Sequence, residues 1–292
     1  MKFAYLVMAH HRFDVLKLLL QDLDDERNDI FLHIDKKTGD YDGEEIRDCV
    51  KKANLIFVKR EPVYWGHYTQ IKCVRNLLKV ATKYGYHDYY HLMVGVEFPL
   101  KTQNEIFAFF QKNKGYEFIG FDEEDTCYLD RIKYWHFWGE YARTQNERER
   151  SLYDRANRCV EKQRKYGVNR IKGKEQCYKK GYANWSITHE LACYIVNHTK
   201  DLHKYKYTHC ADEIFIHTLV YNSKFYDNVY DKHDEYHSVM RLTTWEDPHN
   251  QFHLRDVDML CQSDKLFARK FDDQDAVEII KKIKEYRGER NE

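Results

Sequence analysis

The stretch Phe3-Ala4-Tyr5-Leu6-Val7-Met8-Ala9-His10 decides the fold class. Its apolar run is unbroken from Phe3 to Ala9, and a polar group follows at once. A strand with one wet face alternates apolar and polar residues. An unbroken run is what a strand covered on both faces requires. Outward from it the pattern repeats. Residues 14–23 carry apolar side chains at Val15, Leu18, Leu19 and Leu23, which is helical spacing. Asp29–Ile34 reads as a second buried strand and Asn54–Val58 as a third. Thr69–Tyr84 predicts a helix capped by Thr69 and striped by Ile71, Val74, Leu77, Leu78 and Val80. Tyr89–Val94 is a fourth strand, Asn104–Lys112 a helix capped by Asn104, and Glu117–Gly120 a short strand. Strands alternating with helices predict an α/β fold: a largely parallel central sheet with helices on both faces.

Beyond residue 120 the character changes. Arg143–Arg170 is highly charged and weakly amphipathic, which predicts an exposed helix with loops. Tyr182–Ile187 reads as a strand, and His189–Asn197, Asp212–Tyr221 and Asp275–Tyr286 read as helices. The chain has only three prolines, no repeat and no Pro/Gly-rich linker. Residues 1–292 therefore read as one composite domain.

Charge balances at 48 basic against 48 acidic residues, so no global field recruits nucleic acid or an anionic membrane. Any anion site must be built locally. Tyrosine, at 24 residues, and phenylalanine, at 16, supply rings that fill a core or stack on the C–H faces of sugars. Eight cysteines show neither C-x-x-C nor zinc-ligand spacing. Cys73 and Cys193 fall on apolar helix faces, as small buried residues of a reduced compartment. The amino-terminal apolar run is too short to span a bilayer and has no cleavage pattern. The expectation is a cytoplasmic protein, with peripheral contact at the inner membrane face left open.

In parallel sheets, ligands bind beyond the carboxyl ends of strands. His10 and His11 stand beyond the first strand, Asp35 beyond the second and Glu97 just past the fourth. Asp35 either accepts hydrogen bonds from a uracil or ribose, or caps the next turn. His11 is expected to face solvent. Neither G-x-G-x-x-G nor G-x-x-x-x-G-K-[ST] occurs, which weighs against dinucleotide and P-loop chemistry. Asp-x-Asp triplets lie at Asp22–Asp24, Asp40–Asp42 and Asp256–Asp258. Only the last is placed to hold a divalent ion on a diphosphate, and ordinary surface charge explains it as well. In Asp212-Glu213-Ile214-Phe215-Ile216-His217-Thr218, Asp212 reads as a helix cap and Glu213 as a first-turn carboxylate. Such a carboxylate either complements the helix dipole or takes a proton from an attacking hydroxyl. The closing stretch from Trp245 to Asp272 holds two separated cations, Arg255 and Lys270, that could converge on one diphosphate.

In these residues the chain resembles the core-2/I-branching β-1,6-N-acetylglucosaminyltransferase family, which also includes peptide O-xylosyltransferases. The resemblance runs in order through Ala4–His10, His33-Ile34-Asp35-Lys36-Lys37, Val63-Tyr64-Trp65-Gly66 and Tyr90–Thr102. It continues through Asn184-Trp185-Ser186-Ile187-Thr188, Asp212-Glu213, Trp245 and Leu266-Phe267-Ala268-Arg269-Lys270-Phe271-Asp272. It implies a GT-A-like nucleotide-sugar fold that works without metal or other cofactor. Residues 1–120 would bind the nucleotide, and 121–292 would carry acceptor binding and catalysis. It makes Glu213 the general base, and Arg255 and Lys270 the diphosphate clamp. Asp35 becomes a nucleotide contact with His10 and Tyr64 near it, and Trp245 an acceptor platform. Glu97 stands where the family usually has Asp, which bears on how the donor sugar is held. Tyr134, inside the aromatic and basic cluster Arg131–Trp138, is the further acceptor candidate, although packing explains such a cluster equally well. The expectation is that the chain does without the anchor and disulfides of animal members, and so resembles a bacterial one.

The implied activity is inverting transfer from a UDP-sugar to a glycan or lipid-linked oligosaccharide, in surface polysaccharide synthesis. UDP-N-acetylglucosamine comes first as donor and UDP-xylose second. The competing reading is a non-catalytic glycan- or nucleotide-binding protein. A nucleic-acid partner is not expected, because no basic stripe lies beside exposed aromatics.

Overall fold

The computed structural model describes residues 1–122, 127–199 and 202–288. Its strands are β1 Phe3–Ala9, β2 Asn28–Ile34, β3 Asn54–Phe57, β4 Tyr89–Val94, β5 Glu97–Pro99, β6 Ser186–Thr188, β7 Arg241–Leu242 and β8 Phe267–Arg269. The main sheet has the order β3-β2-β1-β4-β6. Its first four strands are parallel, with Phe3 opposite both Asn28 and Tyr89, and β6 runs antiparallel to β4.

Both faces are covered, as the unbroken apolar run requires. Phe3, Tyr5, Val7 and Ala9 of β1 point into one core, with helices Phe13–Asp22, Gln103–Lys112 and Ala276–Tyr286. Ala4 and Leu6 point into the other, with helices Thr69–Tyr84, His189–His198 and Phe215–Tyr221. Among the described residues no helix is long and apolar enough to cross a membrane. All eight cysteines are free thiols, and Cys193 is half-buried rather than buried.

Several local expectations are corrected. Thr69 does not cap its helix; its hydroxyl accepts from the Tyr64 N–H at 2.9 Å and pins the preceding loop. The cap of Gln103–Lys112 is Thr102, not Asn104, in a reciprocal box with Glu105. Residues 117 and 118 form only isolated bridges, because each pairs with a different segment, Val229 and Ser186. The charged middle is a helix over Glu147–Lys165, capped by Asn146. Asp212 does not cap a helix. Cys210, at φ 47, opens a tight turn over Ala211–Glu213, and the helix starts only at Phe215.

A smaller sheet, in the order β5-β8-β7, seats the carboxy-terminal segment against the end of β4. A fully buried ion pair lies inside this smaller sheet, between β5 and β7, and its arginine also reaches the main sheet. Arg241 Nε donates to Glu97 Oε1 at 3.0 Å, and both side chains are 0% exposed. The rest of the Arg241 guanidinium reaches the carbonyls of Val239, Leu92 and Trp185 and the hydroxyl of Ser186. Every arm of the cation thus meets an acceptor, the condition under which a buried charge is tolerated.

Candidate active site

The carboxyl ends of β1 and β2 bring together the expected nucleotide-side groups. Asp35 is buried, and its carboxylate accepts from the Lys37 N–H at 2.8 Å, so capping is its role here. The same carboxylate binds Lys37 Nζ at 2.8 Å, and that ammonium lies 4.5 Å from the centre of the Tyr64 ring. His10 is exposed beside them, its ring 4.1 Å from that of His11. Burial, then the neighbouring His11, lowers the His10 pKa and favours neutral imidazole. His11 stays partly open to solvent, and its Nε2 also bonds Asp272 Oδ1 at 2.7 Å, tying the first strand's end to the chain's last motif.

Glu97 is also corrected. It has no exposed surface, and Asn184 Nδ2 donates to Oε2 at 2.6 Å while Arg241 holds Oε1. It does not meet a donor sugar directly. Asn184 also accepts from Arg269 Nη1 at 3.0 Å, so Glu97 orients a cation of the closing motif through one intermediary.

The carboxylate pair follows from a close approach of two loops. Gly66, at φ +65, accepts from the Cys210 N–H at 2.8 Å; a Cβ there would lie 3.0 Å from His209. Cys210 itself is held in the left-handed region, uncommon for a residue with a side chain and a pointer to function. The turn it starts presents Asp212 and Glu213. Gln70 donates to Asp212 Oδ2 at 3.2 Å, whereas Oδ1 is buried with no hydrogen-bond partner. Burial first, and the adjacent Glu213 charge second, push the Asp212 carboxyl up to about 7. Glu213 is about one-third exposed, at 32%, and its Oε2 receives Arg131 Nη1 at 2.5 Å. It is therefore a carboxylate at a surface opening, steadied from one side.

The carboxy-terminal stretch divides. Lys270 is half-buried and donates to the His249 carbonyl at 3.4 Å. Burial lowers its pKa most, followed by the charges of Arg269 and Arg143. Asp212 acts in turn on Arg269, so this cationic group adjoins the Asp212–Glu213 turn. Arg255 is not brought into that group. It lies 67% exposed on the turn Leu254–Asp256, with Asp256 at 3.7 Å, where water rather than the fold holds its guanidinium. Trp245 is 68% exposed and meets Tyr236 edge-on at 6.4 Å, and Tyr236 meets Tyr182 at 5.8 Å. Tyr134 is corrected: it is buried, under the Arg164 guanidinium, and offers no surface to an acceptor.

The acidic triplets have structural partners. Asp22 pairs with Arg287 at 2.5 Å, Asp24 accepts from the backbone of residues 51–53, and Asp42 caps the helix Gly43–Asp48. Asp256 accepts from the His253 N–H at 2.8 Å. Among the described residues no three His, Cys, Asp or Glu side chains are grouped to hold a metal ion.

Sequence reasoning missed Arg131 as the partner of Glu213, and Arg241 and Asn184 as the scaffold behind Arg269. Arg241 lies in no singled-out motif and carries no signal, whereas Arg131 opens the aromatic and basic cluster Arg131–Trp138. Asn184 had a signal, because it opens a motif already singled out.

Known proteins resemble this chain at three levels. The family model described as Core-2/I-Branching enzyme matches residues 3–262. The N-acetyllactosaminide beta-1,6-N-acetylglucosaminyl-transferase of Mus musculus is 31% identical over 116 residues, which is 38% of this chain and 29% of the mouse protein. Mouse xyloside xylosyltransferase 1, solved in its apo form, superposes over 92% of this chain and 97% of its own with 10% identity and a TM-score of 0.39. That last likeness is too distant to add to the fold described above.

Proposed function

The chain belongs to the Core-2/I-branching enzyme family and is a glycosyltransferase, and on that premise we propose an inverting, metal-independent transfer of N-acetylglucosamine from its UDP-sugar to a glycan hydroxyl. The observation that carries this reading is the placement of Glu213. Its carboxylate is part-exposed and fixed by Arg131, and its neighbour Asp212 acts on Arg269 of the closing cationic motif. The mouse relative's activity supports N-acetylglucosamine as the donor sugar.

The chemistry follows from that placement. The acceptor hydroxyl gives its proton to the Glu213 carboxylate while its oxygen bonds to the anomeric carbon. The bond from that carbon to the β-phosphate oxygen breaks, and UDP leaves with the electron pair. Attack opposite the leaving group turns an α-linked donor into a β-linked product. General-base assistance is worth roughly 10²–10⁴-fold. Lys270 stabilises charge developing on the diphosphate, a contribution of about 3–4 kcal/mol for a well-placed donor in a dry site. Arg269 beside it adds to the same field. Trp245 offers an exposed ring to the acceptor sugar. The acceptor is a growing glycan or lipid-linked oligosaccharide of surface polysaccharide synthesis.

A panel of UDP-sugars, with and without EDTA, tests this reading by UDP release. UDP-N-acetylglucosamine should be turned over at the same rate in chelator, with a β-anomeric product by NMR. Activity abolished by EDTA contradicts metal independence, and turnover of UDP-xylose alone contradicts the donor.

A further inference from the structure

Beside the Asp212–Glu213 turn lies a third carboxylate that neither the motifs nor the mechanism above uses. Glu235 opens the short helix Glu235–Val239, immediately before Tyr236 of the aromatic surface. It reaches that place because two glycines remove what would block it. A Cβ on Gly120 would fall 2.4 Å from the Glu235 carbonyl and 2.7 Å from its Cγ. A Cβ on Gly181 would fall 1.8 Å from the Gly120 carbonyl. Only glycine allows three segments to stack this closely. The same stack reaches the base, since the Gly181 N–H donates to the Glu213 carbonyl at 3.0 Å. Glu235 and Glu213 are thus placed through the same Gly120–Gly181 stack, and Trp245 lies one ring beyond Tyr236.

We propose that Glu235 is the acceptor-positioning and specificity residue of this transferase: its carboxyl donates a hydrogen bond to an oxygen of a neutral hexose seated on Trp245, and so turns the attacking hydroxyl toward Glu213. This rests on the glycosyltransfer reading above. The surroundings keep a proton on the group. Burial first, then the Asp122 charge, push the Glu235 carboxyl up to about 7, with Lys180 opposing and Glu213 adding. The charged and titratable groups facing it are Asp122 and Lys180, themselves paired at 2.7 Å, Glu213 and Tyr236, while the Tyr182 backbone N–H donates to it and opposes the rise. Asp122 and Glu213 beside it predict discrimination against uronates, whose carboxylate would meet like charge.

Steady-state kinetics on the full chain test the proposal. Donor is UDP-N-acetylglucosamine, and acceptors are p-nitrophenyl glycosides of galactose, glucose, N-acetylglucosamine, N-acetylgalactosamine and glucuronic acid. Glu235→Ala should raise the acceptor KM roughly 10–100-fold, the range of one lost hydrogen bond in a dry site, with donor KM little changed. Wild-type acceptor KM should climb as pH passes about 7, where Glu235 gives up the proton it donates. Glu235→Gln keeps a donor that does not titrate, so it should hold a low KM and remove that climb. Asp212 titrates in the same range, and the Gln variant separates the two. UDP affinity by calorimetry reports whether each variant is folded. Unchanged acceptor KM in Glu235→Ala, a pH climb that survives in Glu235→Gln, or efficient use of the glucuronide overturns the assignment. Wild-type protein that releases no UDP with any acceptor overturns the glycosyltransfer reading instead.

Discussion

Two Arg–Glu pairs define opposite regions of this molecule. Arg241 and Glu97 meet at 3.0 Å with neither side chain exposed, and every guanidinium arm is satisfied. Arg131 and Glu213 meet at 2.5 Å, yet each keeps about a third of its side-chain surface, 29% and 32%. The chemistry of the pair is the same; the difference is what else surrounds it. A carboxylate locked by Arg241 and Asn184 cannot exchange a proton with a substrate and serves as a brace inside the smaller sheet. A carboxylate steadied from one side and open on the other can. Burial and partner count, rather than residue type, separate the strut from the base.

Breaking the buried pair should cost most. Arg241→Ala leaves Glu97 charged and unpaired, and the fold should lose about 3–5 kcal/mol, measurable by urea denaturation. A change below about 1 kcal/mol would mean that the brace is not structural. Arg241→Met together with Glu97→Gln should recover part of that loss, since no lone charge remains.

The cations of the closing stretch sharpen the comparison next. Lys270→Ala should lower kcat by roughly 10²–10³-fold, as removal of a charge-stabilising donor does. Arg255→Ala should have a smaller effect, because its guanidinium is solvated on an exposed turn. The reverse order would show that Arg255 moves in when the donor binds.

Much of this contrast was legible in the sequence. The run Phe3–Ala9 dictates a doubly covered strand, and its apolar character survives any tertiary context. The Asp212-Glu213 and Leu266–Asp272 blocks were recognisable because their residue types carry chemistry. What the sequence hid was partnership across long separations. Glu97 and Arg241 are 144 positions apart, and Arg131 and Glu213 are 82 apart. No local pattern marks Arg241, and the cluster that Arg131 opens does not point to Glu213 as its partner. The misplaced cap at Asp212 has a different cause. Cys210 adopts a left-handed conformation that its residue type does not announce, and this delays the helix to Phe215.

The exposed pair should matter little for stability. Arg131→Ala should change the unfolding free energy by no more than about 1 kcal/mol, as solvent-screened pairs do, while kcat falls. A large loss of stability would move this pair into the strut class. Asp212 provides the smallest and most specific test. Its carboxyl keeps its proton to about 7 in the folded chain, whereas an unfolded aspartate releases it near about 3.9. Between those values the unfolded state binds fewer protons, so wild-type stability falls as pH rises. Asp212→Asn should abolish that fall, and the Tm difference between the two proteins should widen from pH 4 to 7 and then level. A pH-independent difference would place the titration elsewhere.

The central claim is that Glu213 is the base, and one paired measurement tests it most directly. UDP binding by calorimetry and sugar transfer from UDP-N-acetylglucosamine are compared for wild type and Glu213→Gln. The account predicts unchanged UDP affinity with transfer reduced roughly 10²–10⁴-fold. Transfer within a few-fold of wild type would contradict it.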